Sequence, residues 1–114
     1  MIKMKTNTII DWNNYLTPGA KVFIGRDRGE EVRTATRIDE IEPEFDRITI
    51  VIPKDVRSVN PSFLEEYFYN IIPRLGKYRF LEKFKFQNAE RYKIESDLED
   101  AIDRRLREHN ALVF

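Results

Sequence analysis

The sequence predicts a single α/β domain: a layered fold with a sheet of about four strands, parallel at its centre, and three helices. Three observations carry this. Ile48-Thr49-Ile50-Val51-Ile52 is a short, almost unbroken β-branched run, as expected of a strand buried on both faces of a parallel sheet. Phe63, Leu64, Tyr67, Phe68, Ile71 and Ile72 then recur at helical spacing. Ile94, Leu98, Ala101, Ile102 and Leu106 repeat that spacing near the end of the chain. Strand-like and helix-like segments alternate, which is the signature of βαβ units.

Composition sets the outer limits. The chain has 114 residues, enough for one hydrophobic core. Lys plus Arg number 20 and Asp plus Glu number 20, so no global charge draws it to nucleic acid or to an anionic membrane. There is no cysteine, hence no disulfide and no thiol chemistry, in keeping with a cytoplasmic setting. No apolar run reaches the ~20 residues of a membrane-spanning helix, and the start MIKMKTNTIIDW lacks the apolar core of a signal peptide.

Taken in order, residues 1–24 read as an N-terminal strand pair and residues 25–109 as the α/β core of one domain spanning 1–114. Thr6–Ile10 is a candidate edge strand, with Trp12, Tyr15 and Leu16 as packing residues. Thr17-Pro18-Gly19-Ala20 suits a type II turn, and Lys21–Ile24 reads as a second strand in a hairpin-like pair. Asp27 with Glu30 is a helix-start pattern. Val32, Ala35, Ile38 and Ile41 give that helix a narrow apolar seam to about Glu42, which Gly29 weakens and Pro43 ends.

The central strand closes at Pro53, which has no N–H for a sheet ladder. Lys54 and Asp55 form a solvated turn, and Val56 and Val59 tuck under the sheet. The next helix carries two overlapping start signals. Asn60-Pro61 fits an N-cap with proline at the first helical position, and Ser62 with Glu65 fits a capping box. They place the start two residues apart, and the sequence does not choose between them. Glu65, Glu66, Tyr69 and Asn70 fall on the wet side, and Pro73 and Gly76 stop the helix. Tyr78, Phe80 and Leu81 fit a short helical turn. Lys83–Gln87 alternates, placing Phe84 and Phe86 on one face of a strand near the sheet edge. Asn88–Tyr92 is a loop. The last helix starts near Ser96, with its acids early and Arg104, Arg105 and Arg107 late, a solvated helix end whose order complements the helix dipole. The apolar tail Ala111–Phe114 folds back onto the body or offers a small contact surface.

Most chemical constellations read as bland. His109 is the only histidine and there is no cysteine, so no transition-metal set exists and no cofactor is expected. Glu30, Glu31, Glu65 and Glu66 are carboxylates of a solvated face. Gly25-Arg26-Asp27-Arg28-Gly29 lacks the Gly-Lys-Ser/Thr ending of a phosphate loop. Bases and aromatics mix over Lys77–Phe86, as on nucleic-acid surfaces, but Glu82 and zero net charge oppose that reading.

The segment ITIVIPKDV followed by Ser-Val-Asn-Pro-Ser-Phe-Leu-Glu-Glu-Tyr-Phe resembles the STAS-like proteins of the DUF4325 family, themselves similar to anti-sigma-factor-antagonist domains. Gly29-Glu30-Glu31-Val32-Arg33 resembles that family's opening of the first helix, and the likeness spans roughly 25–106. The resemblance implies a non-enzymatic regulatory module of a bacterial or phage cytoplasm, whose protein partner docks on the loop and helix start at 56–66. It also implies that the partner is a histidine-kinase-like ATPase that phosphorylates a serine or threonine there. The usual first acceptor position falls on Pro61, which cannot take phosphate, and Ser62 occupies the next. Arg26, Arg28, Arg57, Asn60, Ser62 and Glu66 are the candidate partner-binding residues. Ser62 reads first as a helix cap and second as a phosphorylation site, because a phosphate at a helix start meets free N–H groups. A homodimer is compatible with this reading. Two alternatives stand beside it: a small inhibitor or adaptor that reuses the fold to block a larger bacterial or phage complex, and a small carboxylate enzyme, which a deep pocket joining Glu30, Glu65 and Arg33 would favour.

Overall fold

The β-branched run forms the middle of a sheet. In the computed structural model, which describes residues 5–15, 22–23, 25–54, 56–87 and 92–113, it lies in strand β3 (Phe45–Val51). Strand β1 (Lys5–Asp11) pairs parallel with one edge of β3, from Lys5↔Phe45 to Asp11↔Val51. Strand β5 (Phe84–Gln87) pairs parallel with the other, from Ile48↔Phe84 to Val51↔Gln87. The order is β1-β3-β5. Parallel neighbours cannot be joined by a tight turn, so each connection crosses over through helices. Strand β2 (Val22–Phe23), helix α1 (Arg26–Thr36) and helix α2 (Ile38–Ile41) join β1 to β3. Strand β4 (Ser58–Val59), helix α3 (Pro61–Tyr67) and helix α4 (Ile71–Lys83) join β3 to β5, and helix α5 (Glu95–Val113) follows.

The α/β class and parallel centre expected from the sequence stand, but the counts do not. The main sheet has three strands rather than four, and the described residues form five helices rather than three. The expected N-terminal hairpin is not formed. β1 joins the central sheet, while β2 pairs with β4, also in parallel. The Thr17–Ala20 turn, Leu16 and Asn88–Arg91 lie outside the described residues. Tyr15 is exposed rather than packed, whereas Trp12 is wholly buried.

Both extra helices come from chain breaks. Arg37 sits in the left-handed region (φ 57°), with its N–H on the carbonyls of Arg33 and Thr34, so α1 ends there. The break turns Ile38 into the core. A three-residue repeat drifts around a helix of 3.6 residues per turn, and α1 instead buries Gly29, Val32 and Thr36, leaving Ala35 exposed. The second break is the turn at Phe68–Asn70, between α3 and α4. Pro73 does not end a helix: it stands in the first turn of α4, where its missing N–H costs nothing. Gly76 does interrupt α4, with φ 77° and ψ 169°.

The sheet is covered on one face. Ile48, Ile50 and Ile52 are fully buried, and Ile10, Phe84 and Phe86 share their side by register. The opposite face is not buried as expected. There Ile9 is 64% exposed, beside exposed Asn7, Arg47, Lys85 and Gln87 and half-buried Thr49 and Val51. Aromatic edge-to-face contacts stitch the covered side together: Trp12 on Phe63 and Tyr67, Tyr67 on Phe68, and Phe68 on Phe80 and Phe84. Such pairs add about 0.5–1.5 kcal/mol each beyond their buried area. α5 closes the core with Leu98, Ala101 and Ile102. Residues 111–113 continue that helix rather than forming a separate tail. Arg105 is not a solvated helix end: it is 5% exposed, its Nε donates to the Tyr69 carbonyl at 2.9 Å, and its guanidinium lies 3.7 Å over the Tyr69 ring. No helix among the described residues is long and apolar enough to cross a membrane.

Candidate partner-binding surface

Two residues of strand decide where the site lies. β2 and β4 pair as Val22↔Ser58 and Phe23↔Val59, and each strand runs almost at once into a helix. α1 takes Gly25 as its N-cap and α3 takes Asn60, so a parallel strand pair sets two helix starts side by side. The helices then pack tightly. A Cβ on Gly29 would fall 2.5 Å from the Phe63 carbonyl oxygen and 2.9 Å from Glu66 Cβ. Gly29 is therefore no weakness in α1; it is what lets the two backbones meet.

The contest between start signals resolves in favour of Asn60. Its Oδ1 accepts from the Ser62 N–H at 2.9 Å and from the Ser62 hydroxyl at 2.7 Å, and Pro61 takes the first helical position. The Ser62–Glu65 capping box does not form. Ser62 and Asn60 are both half-buried, Arg57 is exposed, and Arg28 pairs with Glu31 along α1 at 3.2 Å. Val56 and Val59 are buried, as expected.

Glu65 overturns its sequence assignment. It was expected on the wet side, yet it has no solvent exposure. α3 is only two turns long and lies between α1 and α5, so its polar side has little room to reach water. The carboxylate finds a cation instead. Arg26, the first residue of α1, places its guanidinium 3.3 Å from Glu65, 3.7 Å from Glu66 and 3.8 Å from Glu108 of α5. Arg33 completes the cluster, donating to the Glu66 carbonyl at 2.7 Å and lying 3.7 Å from its carboxylate. Glu65 Oε1 nonetheless lacks a hydrogen-bond partner among the described residues. Burial pushes the Glu65 carboxyl above the usual carboxylate range; Arg26 opposes the rise, Glu108 adds to it, Arg104 opposes it and Glu66 adds to it. Two residues after Glu65, the Tyr67 hydroxyl meets the Thr36 hydroxyl at 3.0 Å, and burial lifts its pKa to about 12.

Of the six candidates, the structure brings Arg26 and Glu66 into one ion cluster and Asn60 and Ser62 into one cap, with the two groups on adjoining helix starts. Arg28 is engaged along its own helix, and Arg57 lies ahead of β4. Sequence reasoning joined Glu65 and Arg33 only with Glu30, in the enzyme alternative, and did not group them with Arg26 and Glu108. Only an acid two residues after the first apolar position of so short a helix hinted at Glu65; nothing local marked Glu108. Glu30 lines a shallow depression on α1 with Asp27, Glu31, Thr34 and Ala35, and neither Glu65 nor Arg33 takes part in it. Among the described residues, no group of three His, Cys, Asp or Glu side chains is placed to hold a metal ion. Compared with known protein families, with curated proteins and with solved structures, the chain finds no match, so the STAS-like resemblance rests on the residues quoted for it.

Proposed function

We propose that the chain is a non-enzymatic protein-binding module whose partner docks on the edge where α1 and α3 begin, over residues 56–66 with Arg26 and Arg28. The observation that carries this is the β2–β4 pairing, which holds the two helix starts side by side. The edge offers Arg26, half-exposed despite its three carboxylate contacts, exposed Arg57, and the half-buried polar pair Asn60 and Ser62. A polar and charged rim fixed by backbone pairing selects partners by electrostatic complementarity. Glu65 supports a structural use of the carboxylates: its side chain has no solvent exposure and faces Arg26.

The STAS-like resemblance makes a histidine-kinase-like ATPase of the anti-sigma type the first partner to test. Ser62→Asp introduces a charge at the second position of α3, where a negative group suits the helix dipole and leaves the fold intact. In titrations against such an ATPase from the same host, Ser62→Asp and Arg57→Glu are expected to weaken binding at least about tenfold, equivalent to ~1.4 kcal/mol. Lys85→Glu, on the open face of the sheet, should leave affinity unchanged. Equal affinities for all four proteins would overturn the proposal, as would no binding at all.

A further inference from the structure

β5 begins opposite Ile48, so Phe45, Asp46 and Arg47, the first residues of β3, have no β5 residue beside them. The last turns of α4 border the notch that this register leaves, and a cavity of about 400 Å³ occupies it. Its apolar part is half-buried Phe45 and nearly buried Leu75. Its polar part carries both signs: Arg47, Arg79 and Lys83 against Asp46 and Glu82.

One of these cations is held in place. Glu42, wholly buried, is paired with Arg74 and lies 2.5 Å from Lys83 Nζ. That contact fixes the ammonium at the cavity wall. Burial, together with the positive charges of Arg74 and Arg79, pushes the Lys83 pKa down, while Asp46 pulls it up. Arg47 and Arg79 are exposed and take part in no ion pair or hydrogen bond among the described residues. A basic residue in the last turn of α4 complements its dipole, which accounts for Lys83. It does not account for Arg79, or for Arg47, delivered from β3.

We propose that this cavity binds a small zwitterion with an apolar side chain, that is, a free apolar α-amino acid. Its carboxylate would meet Arg47, Arg79 and Lys83, its ammonium Asp46 and Glu82, and its side chain Phe45 and Leu75. A simple anion would face the two acids and a simple cation the three bases; a ligand carrying both charges satisfies both sets. The volume lies within the range of small-molecule sites, about 300–1,000 Å³.

The test titrates the full isotopically labelled chain with L-leucine, L-methionine and L-phenylalanine in turn, reading amide shifts. Saturable shifts confined to residues 45–47 and 75–83 are expected for at least one of them. The same ligand without its ammonium (3-phenylpropionate for phenylalanine) or without its carboxylate (phenethylamine) should bind about tenfold more weakly, the equivalent of one charge-assisted hydrogen bond. Arg79→Gln and Glu82→Gln, both exposed and so neutral to folding, should each cost about the same factor. No saturation by any of the three amino acids would overturn the proposal. So would a deaminated analogue that binds as tightly as its parent, or an Arg79→Gln variant with unchanged affinity.

Discussion

Gly29→Ala tests the α1–α3 contact on which the candidate surface is built. In an ordinary helix interior this change stabilises by roughly 0.5–1 kcal/mol, because glycine loses more backbone freedom on folding. Here the added methyl would stand 2.5 Å from the Phe63 carbonyl oxygen, 2.9 Å from Glu66 Cβ and 3.3 Å from the Phe63 carbonyl carbon. Two of those three atoms are backbone, so no rotamer change relieves the contact. The helices must separate by about 1 Å to restore ordinary van der Waals distances, loosening the packing of Phe63 and the Arg33–Glu66 contacts with it. Overpacking of this kind costs about 1–3 kcal/mol. Backbone atoms cannot swing aside, so the upper part of that range, about 2–3 kcal/mol, applies, and net of a helical gain of ~1 kcal/mol the expected loss is about 1–2 kcal/mol. For 114 residues that lowers Tm by about 4–8 °C. Urea unfolding read from the fluorescence of Trp12, the single tryptophan and fully buried against Phe63 and Tyr67, measures it. Thr34→Ala, on the exposed side of the same helix, is the control and should stabilise by a few tenths of a kcal/mol (about 0.3). A Gly29→Ala protein as stable as the parent, or more so, would refute the close approach.

Further outcomes follow from the same geometry. Asn60→Ala removes the cap that holds Ser62 and should cost about 1 kcal/mol in urea unfolding, with Ser62→Ala costing less. Glu65 has a folded pKa above its unfolded value, so the fold binds the proton more tightly and stability falls as pH rises from the unfolded value near 4.5 through the raised folded one. The stability of Glu65→Gln relative to the parent should therefore increase with pH across that window; a flat or opposite trend in denaturation at successive pH values would contradict it. Tyr67→Phe strips the Thr36 hydroxyl of a buried partner and should cost about 1 kcal/mol. Burial lifts the Tyr67 pKa to about 12 and raises that of Tyr92 as well, so ultraviolet titration should show the variant's late-ionising component smaller than the parent's by one tyrosine.

What the sequence revealed follows the length of each element. The β-branched run, the alternation of Phe84 and Phe86 and the stripe of α5 are long enough to show a period, and each lies where expected. β2 and β4 have two residues each, too few for any period, and their pairing is decided by tertiary packing. Hence the supposed hairpin became a parallel pair, and the side-by-side helix starts could not be foreseen. Arg37 takes a left-handed conformation without the glycine or asparagine that usually announces one, so the α1–α2 break was invisible. Glu65 and Arg105 were read as wet because free charges are; both are buried beside partners that lie far away in the chain. Asn60, Ser62, Arg26 and Glu66 were legible as polar residues at helix starts, but the shared Arg26 cluster needed the fold.

The most direct measurement of the central claim is an amide-exchange footprint of the chain bound to a histidine-kinase-like ATPase from its host. Slowed exchange is predicted at residues 25–28 and 56–66 together, because one strand pair carries both helix starts. Protection confined to β1 and β5 on the open face of the sheet, with both starts unchanged, would contradict the account.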